Sequence, residues 1–277
     1  MEVKFYCTRW GAQHIPWEQF LDSVKSAGYA GVEWFPFGEK TDYWHVVNLL
    51  NERGLEFSIV MTVVDEPQDF QLYTTALENQ LFSLSAIRSK HLAPLFITAQ
   101  TGREFFTAEQ VETCLAVCKK VSDKTGIPVY QETHRNKWTY AAYKVLPFLQ
   151  KKSDLFLTLD ISHWFCVSES YLHDQQAAVN LAILQTRHLH ARVGHTQGSQ
   201  VDDPAAAGYQ EALNEHLKIW DKWVHLRRIQ GDTSCTITPE FGPPPYMTCV
   251  NNKVNPFDKQ WRLNLWMKRV LEDRYKE

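Results

Sequence analysis

Four short runs that read as strands each end on a side chain that can ligate a metal or move a proton. Val129-Tyr130-Gln131 runs into Glu132, Leu155-Phe156-Leu157-Thr158-Leu159 into Asp160, Arg187-His188-Leu189 into His190, and Thr236-Ile237-Thr238-Pro239 into Glu240. Three carboxylates and an imidazole brought to one place repel one another unless a cation intervenes, so the set predicts one divalent metal ion held by Glu132, Asp160, His190 and Glu240. The mostly oxygen donor set favours Mn²⁺, Mg²⁺ or Co²⁺ over a thiolate-type zinc site, with Zn²⁺ still an allowed occupant. The competing explanation, that each acid merely caps the helix after its strand, accounts for any one of them. It accounts poorly for all four.

Further polar residues fall on the same rim. His134 and Arg135 follow Glu132, His163 lies three residues beyond Asp160, and Arg192 shares strand parity with His190. His163, His134, Arg135 and Arg192 are therefore candidate substrate contacts, His163 leaning over the mouth from the loop after Asp160. His188, one layer deeper, reads as a hydrogen-bonded core histidine, and His14, His45, His91, His173, His216 and His225 as ordinary surface or helix residues. Arg9, Arg103, Arg135 and Arg192 can each bind a phosphate or pair with an acid of the site. No Walker-type or GxGxxG loop is present. Trp10, Trp34, Trp138 and Trp164 suit stacking on a sugar ring, against the commoner fate of core packing.

Those residues need a scaffold that brings strand ends together. Apolar runs over Val3–Trp10, Ala30–Phe35, Leu55–Val64, Ala93–Thr98, Val129–Glu132, Leu155–Asp160, Arg187–Val193 and Cys235–Glu240 read as strands. Helical spacing separates them: from Trp17, over Tyr43–Arg53, from Phe70 to Ile87, after a capping box at Thr107 to Gln110, and over Tyr140–Leu149, Ala177–Leu184 and Tyr209–Val224. An amphipathic Phe257–Leu271 closes the chain. Eight alternations predict a single (β/α)8 TIM barrel over residues 1–277, whose strands place their C-terminal ends around one mouth.

Composition narrows the ligand. The chain has 277 residues, 44% hydrophobic and 22% charged, and a formal net charge of −3. That is globular, and without the bulk positive field that captures nucleic acid or anionic membrane, so a small-molecule substrate is expected, with no nucleic acid and no membrane. Six cysteines without a CxxC pair read as reduced thiols, with Cys114 and Cys118 on one core-facing helical side. No basic segment precedes a long apolar run, so a soluble, cytoplasmic chain is expected, and a homo-oligomer is compatible with the sequence.

The segments Glu132-Thr133-His134-Arg135, Asp160-Ile161-Ser162-His163-Trp164, His190-Ala191-Arg192-Val193-Gly194 and Pro239-Glu240-Phe241-Gly242-Pro243 resemble the xylose-isomerase-like TIM-barrel superfamily, that of the sugar phosphate isomerases and epimerases. It also holds ketose 3-epimerases, inosose dehydratase and apurinic endonucleases, and the likeness spans nearly the whole chain. It implies metal ligands at Glu132, Asp160, His190 and Glu240, and a substrate contact at His163. Trp138 and Thr196 stand where ketose 3-epimerases carry a second glutamate and an arginine, and Gln100 where many relatives place a histidine. The extra ligands of the endonucleases' three-zinc cluster are not evident.

The reaction expected from the resemblance is isomerisation or epimerisation of a sugar or sugar phosphate. A proton next to a carbonyl is abstracted, giving a metal-stabilised enediolate, with Glu132 and Glu240 as the catalytic acid and base. The alternative is a metal-dependent lyase or dehydratase on a keto-inositol or 3-keto-glycoside, with His163 or His134 as general acid. A third is a barrel that binds without catalysing.

Overall fold

In a computed structural model of the chain, all residues are described except 38, 40, 65, 249–254 and 277. Cys249 therefore falls outside the described residues. The chain runs β1 (Glu2–Thr8), α1 (Trp17–Ser26), β2 (Gly31–Trp34), α2 (Tyr43–Glu52), β3 (Glu56–Thr62), α3 (Phe70–Ser85), β4 (Ile97–Gln100) and α4 (Ala108–Thr125). It continues with β5 (Val129–Glu132), α5 (Ala142–Lys151), β6 (Leu157–Leu159), α6 (Ile161–Ser168), α7 (Gln176–Gln185), β7 (Thr186–His190), α8 (Gln210–Ile229), β8 (Ser234–Thr238) and α9 (Pro256–Tyr275). Each strand pairs in parallel with the next, and β8 pairs with β1, closing a (β/α)8 barrel.

Local chemistry sets the element ends. Thr107 and Gln110 form the expected reciprocal capping box at the start of α4, and Gly126, at φ 73°, ends that helix in the left-handed region. Cys114 and Cys118 are buried along its inner side. β4 begins at Ile97, later than the sequence suggests, because Pro94 has no N–H to give a ladder. Pro239 likewise stops β8 at Thr238, so Glu240 sits in the loop just past the strand. The strand expected over Leu155–Asp160 shortens to β6, whose register with β7 shifts between Leu157 and Thr158. At Asp160 the chain turns into α6, whose buried Ile161, Ser162, His163, Trp164 and Phe165 leave no one-sided periodicity by which the sequence could announce a helix.

The core fills the space between barrel and helices. Trp34 packs edge-on against Trp17 at 5.1 Å, Trp138 against Phe148 at 5.0 Å, and Trp164 donates to the Thr139 carbonyl at 2.7 Å. All three are fully buried in this packing, so of the four tryptophans offered for sugar stacking only Trp10 lines the mouth. No helix among the described residues is long and apolar enough to cross a membrane.

Candidate metal and substrate site

Where the strands end, a cavity of about 260 Å³ opens, with Glu33, Gln100, Glu132 and Glu240 on its wall. Glu132 is the last residue of β5 and His190 the last of β7; Asp160 and Glu240 lie one and two residues past β6 and β8. All four are buried, and each offers a ligand atom within 4.8 Å of the others'. The structure thus brings the four sequence-predicted residues to one point.

Each is held by neighbours that leave part of it facing inward. Gln100 Nε2 donates to Glu132 Oε2 at 3.0 Å. Asp160 is divided: Oδ1 caps α6 by accepting from the Ser162 backbone N–H at 3.0 Å and from the Ser162 hydroxyl, while Oδ2 meets the Arg192 guanidinium. Helix capping and a site role are therefore compatible in one carboxylate. Gly194 makes the arrangement fit, since a Cβ there would lie 2.8 Å from Ser162 Cβ and from the Ser199 backbone.

The surroundings of His190 suit a metal. Its Nε2 lies 3.1 Å from Glu33 Oε1 and 3.0 Å from Oε2. Its Nδ1 is buried and has no hydrogen-bond partner, yet faces Glu240 Oε2 at 3.1 Å and Glu132 Oε1 at 3.5 Å. With Nε2–H donated to Glu33, Nδ1 presents a lone pair to two carboxylates, a repulsive arrangement that a cation, or a second ring proton, relieves. The donors fit a divalent metal. Without one, burial disfavours charging His190, but Glu240, Glu33 and Glu132 outweigh it and hold its pKa well above the ordinary value. Burial, opposed by His190 and reinforced by Glu240 and Asp160, raises Glu132. Burial also raises Asp160, against the pull of Arg192.

Glu33 is not a strand-end residue, since Trp34 follows it in β2, and so it lacks the signal that marks the other acids in the sequence. The available signal was a carboxylate inside an apolar four-residue run. Burial pushes the Glu33 pKa up, but His190 and His188 prevail and hold it far below the carboxylate range. His188 is a partnered core histidine, with Nδ1 2.7 Å from Thr236 Oγ1 and Nε2 3.1 Å from Thr238 Oγ1.

The expected substrate contacts separate. Arg192 and His134 line the cavity, joined by Tyr246, which the sequence reading passed over because it lies in a loop without a pattern. His163 does not lean over the mouth: it is fully buried behind Arg192, Nε2 2.7 Å from Arg192 Nη2 and Nδ1 3.4 Å from Arg135 Nη1. The cause is α6, which turns His163 inward where a loop was expected. Burial, His134, Arg192 and Arg135 all depress its pKa; burial and Arg192 lower His134 to about 3. Both environments favour the uncharged imidazole. His216, expected to be ordinary, is fully buried on α8, bonded to the Ala212 carbonyl at 2.8 Å and accepting from the Gly194 N–H at 3.3 Å.

No sequence-family model and no curated protein matches the chain. Solved structures do. A probable 3-DHS dehydratase from Bacillus anthracis superposes with a TM-score of 0.62 at 18% identity, over 98% of this chain and 99% of its own. A 3-keto-D-glucoside 4-epimerase from E. coli gives 0.60 at 12%, over 97% and 100%. A xylose isomerase-like TIM barrel protein from Mycobacterium smegmatis, in complex with magnesium, gives 0.56 at 11%, over 99% and 98%. Over nearly its full length, this chain shares the (β/α)8 barrel fold of these structures.

Proposed function

We propose that the protein is a metal-dependent isomerase or epimerase of a sugar or sugar derivative, moving a proton on a carbon next to a carbonyl. The observation that carries this reading is the convergence of Glu132, Asp160, His190 and Glu240 at the floor of the mouth, with a buried, unpartnered His190 Nδ1 among the carboxylates. These four residues would hold one divalent ion, Mn²⁺, Mg²⁺ or Co²⁺ by donor type. When bound there, such an ion would supply Lewis acidity, by which a C–H next to a substrate carbonyl becomes more acidic.

The residues of the chain do the rest. Glu132 and Glu240 approach from β5 and β8, which are not neighbours in the barrel, so one carboxylate takes up the carbon-bound proton while the other, entering the step protonated, delivers its own proton to the opposite face or to the adjacent carbon. Gln100 fixes the Glu132 carboxylate through Oε2. Trp10 and Tyr246, packed edge to face at 5.2 Å, close one side of the cavity with an apolar wall for the C–H face of a sugar ring and exclude water. Arg192 and His134 present polar groups to hydroxyls. A neutral His134 is a poor general acid, which favours proton transfer between carbons over loss of a leaving group.

Incubation of the metal-loaded protein with ketoses, keto-inositols and 3-keto-glycosides in D₂O tests the reading. Deuterium on carbon with an isomeric or epimeric product is expected. An unsaturated product would assign a lyase instead, and neither exchange nor product with any of the compounds would leave a binding protein.

A further inference from the structure

Four arginines on the sequence were candidates either for binding an anion or for pairing with acids, and three are paired. Arg9 meets Glu39 at 3.0 Å, Arg103 meets Glu66 at 3.0 Å, and Arg192 meets Asp160. Arg135 differs. Among the described residues, no carboxylate pairs with it. Its Nη1 donates to Ser199 Oγ and lies 3.4 Å from His163 Nδ1, and its Cζ lies 4.7 Å from the Tyr246 ring centroid. Among the described residues Nε and Nη2 have no protein acceptor, and they are not among the buried, unpartnered atoms.

That leaves one edge of a flat, oriented fork open, the edge whose two parallel N–H groups match two oxygens of a carboxylate or phosphate. Its orientation is fixed from the other side by Ser199 and from below by Tyr246. Arg192 Cζ lies 4.8 Å from the same Tyr246 ring, so Arg135 packs against a ring that, with its chain neighbour His134 and with Arg192, lines the cavity. His163 and Arg192 stand between it and Asp160, which separates an anion there from the carboxylate cluster. Acids thus stand at one end of this chain of contacts, and a guanidinium with no carboxylate partner among the described residues at the other.

We infer that the substrate is an anionic sugar derivative, whose carboxylate or phosphate is taken by the Nε and Nη2 edge of Arg135 while its carbonyl end faces Glu132 and Glu240. The inference shares with the proposed function only the assignment of this cavity to the substrate; it does not depend on which proton moves.

Binding measured on metal-free protein tests it, because anions then have no metal to ligate. Inorganic phosphate, D-glucuronate and D-glucose are titrated calorimetrically into wild type, Arg135→Gln, Arg135→Lys and Arg187→Gln, the last removing a guanidinium that stacks on Phe156 at 4.1 Å near the start of β7, at the other end of that strand from His190. At least one anion should bind about tenfold or more tighter than glucose, phosphate pointing to a phosphorylated sugar and glucuronate to a sugar acid. Arg135→Gln should abolish that margin, Arg135→Lys restore only part of it by supplying charge without the fork, and Arg187→Gln leave it intact. Thermal melting of each variant separates lost binding from lost folding. Anions binding no tighter than glucose, or equally well to a folded Arg135→Gln protein, would overturn the inference, while proton exchange in D₂O would still stand or fall separately.

Discussion

The Nε2 atom of His190 lies within 3.1 Å of both carboxylate oxygens of Glu33, and this contact decides what the other ring nitrogen can do. A carboxylate that accepts the Nε2 proton fixes the tautomer, orients the ring and leaves Nδ1 basic, directed at Glu132 and Glu240. His188 Nε2, 3.2 Å from Glu33 Oε1, buttresses the same carboxylate.

Glu33→Gln should therefore weaken metal affinity by about 10- to 100-fold without changing the ligand set, because the amide can still contact the ring but no longer fixes its tautomer or raises its basicity. Competition against a chelator of known affinity measures this. Unchanged affinity in the folded variant would remove Glu33 from any role in positioning His190.

His163→Ala has a different expectation from the one a mouth-facing residue would carry. The imidazole is packed between Arg192 and Arg135, 4.0 Å from the His134 ring, and its removal leaves a void and two guanidiniums without the neutral group that spaces them. A loss of about 1–3 kcal/mol in stability is expected, together with a fall in kcat/KM as Arg192 shifts. His163→Asn should recover part of both by restoring a polar group. Unaltered melting of His163→Ala would show that the ring carries no packing role.

The legible and illegible parts of this protein divide on physical lines. Strand ends were legible because β5 and β7 terminate on Glu132 and His190, and an inward parity links His188 with His190. Glu33 was not, since one buried acid in the short strand Gly31–Trp34 has no pattern around it and its meaning comes from a partner 157 residues away. His163 was misplaced for a related reason: α6 is buried on all sides near its start, so its sequence shows neither helical nor loop character. Trp34, Trp138 and Trp164 follow the general tendency of tryptophan toward the core, and only tertiary placement singles out Trp10.

Acid should expose the buried His216. Burial, against the bond to Ala212 and with the repulsion of Arg192, lowers its pKa to about 4, below the unfolded value of about 6.5. Between those values the unfolded chain binds the proton and the native protein does not. The contribution is thus complete above about pH 6.5 and falls as pH drops toward 4, by up to about 3 kcal/mol. Melting temperatures from pH 7.5 to 4 should decline more steeply for wild type than for His216→Gln, which starts lower but lacks this group. Parallel profiles would contradict the assignment.

The central claim is that Glu132, Asp160, His190 and Glu240 hold one divalent ion. A crystal structure grown with Mn²⁺, with anomalous scattering recorded to locate the metal, tests it most directly. The account predicts one strong anomalous peak roughly 2–2.5 Å from a carboxylate oxygen of each acid and from His190 Nδ1. A peak that falls elsewhere, or the four side chains pointing apart with no metal between them at saturating Mn²⁺, would contradict it.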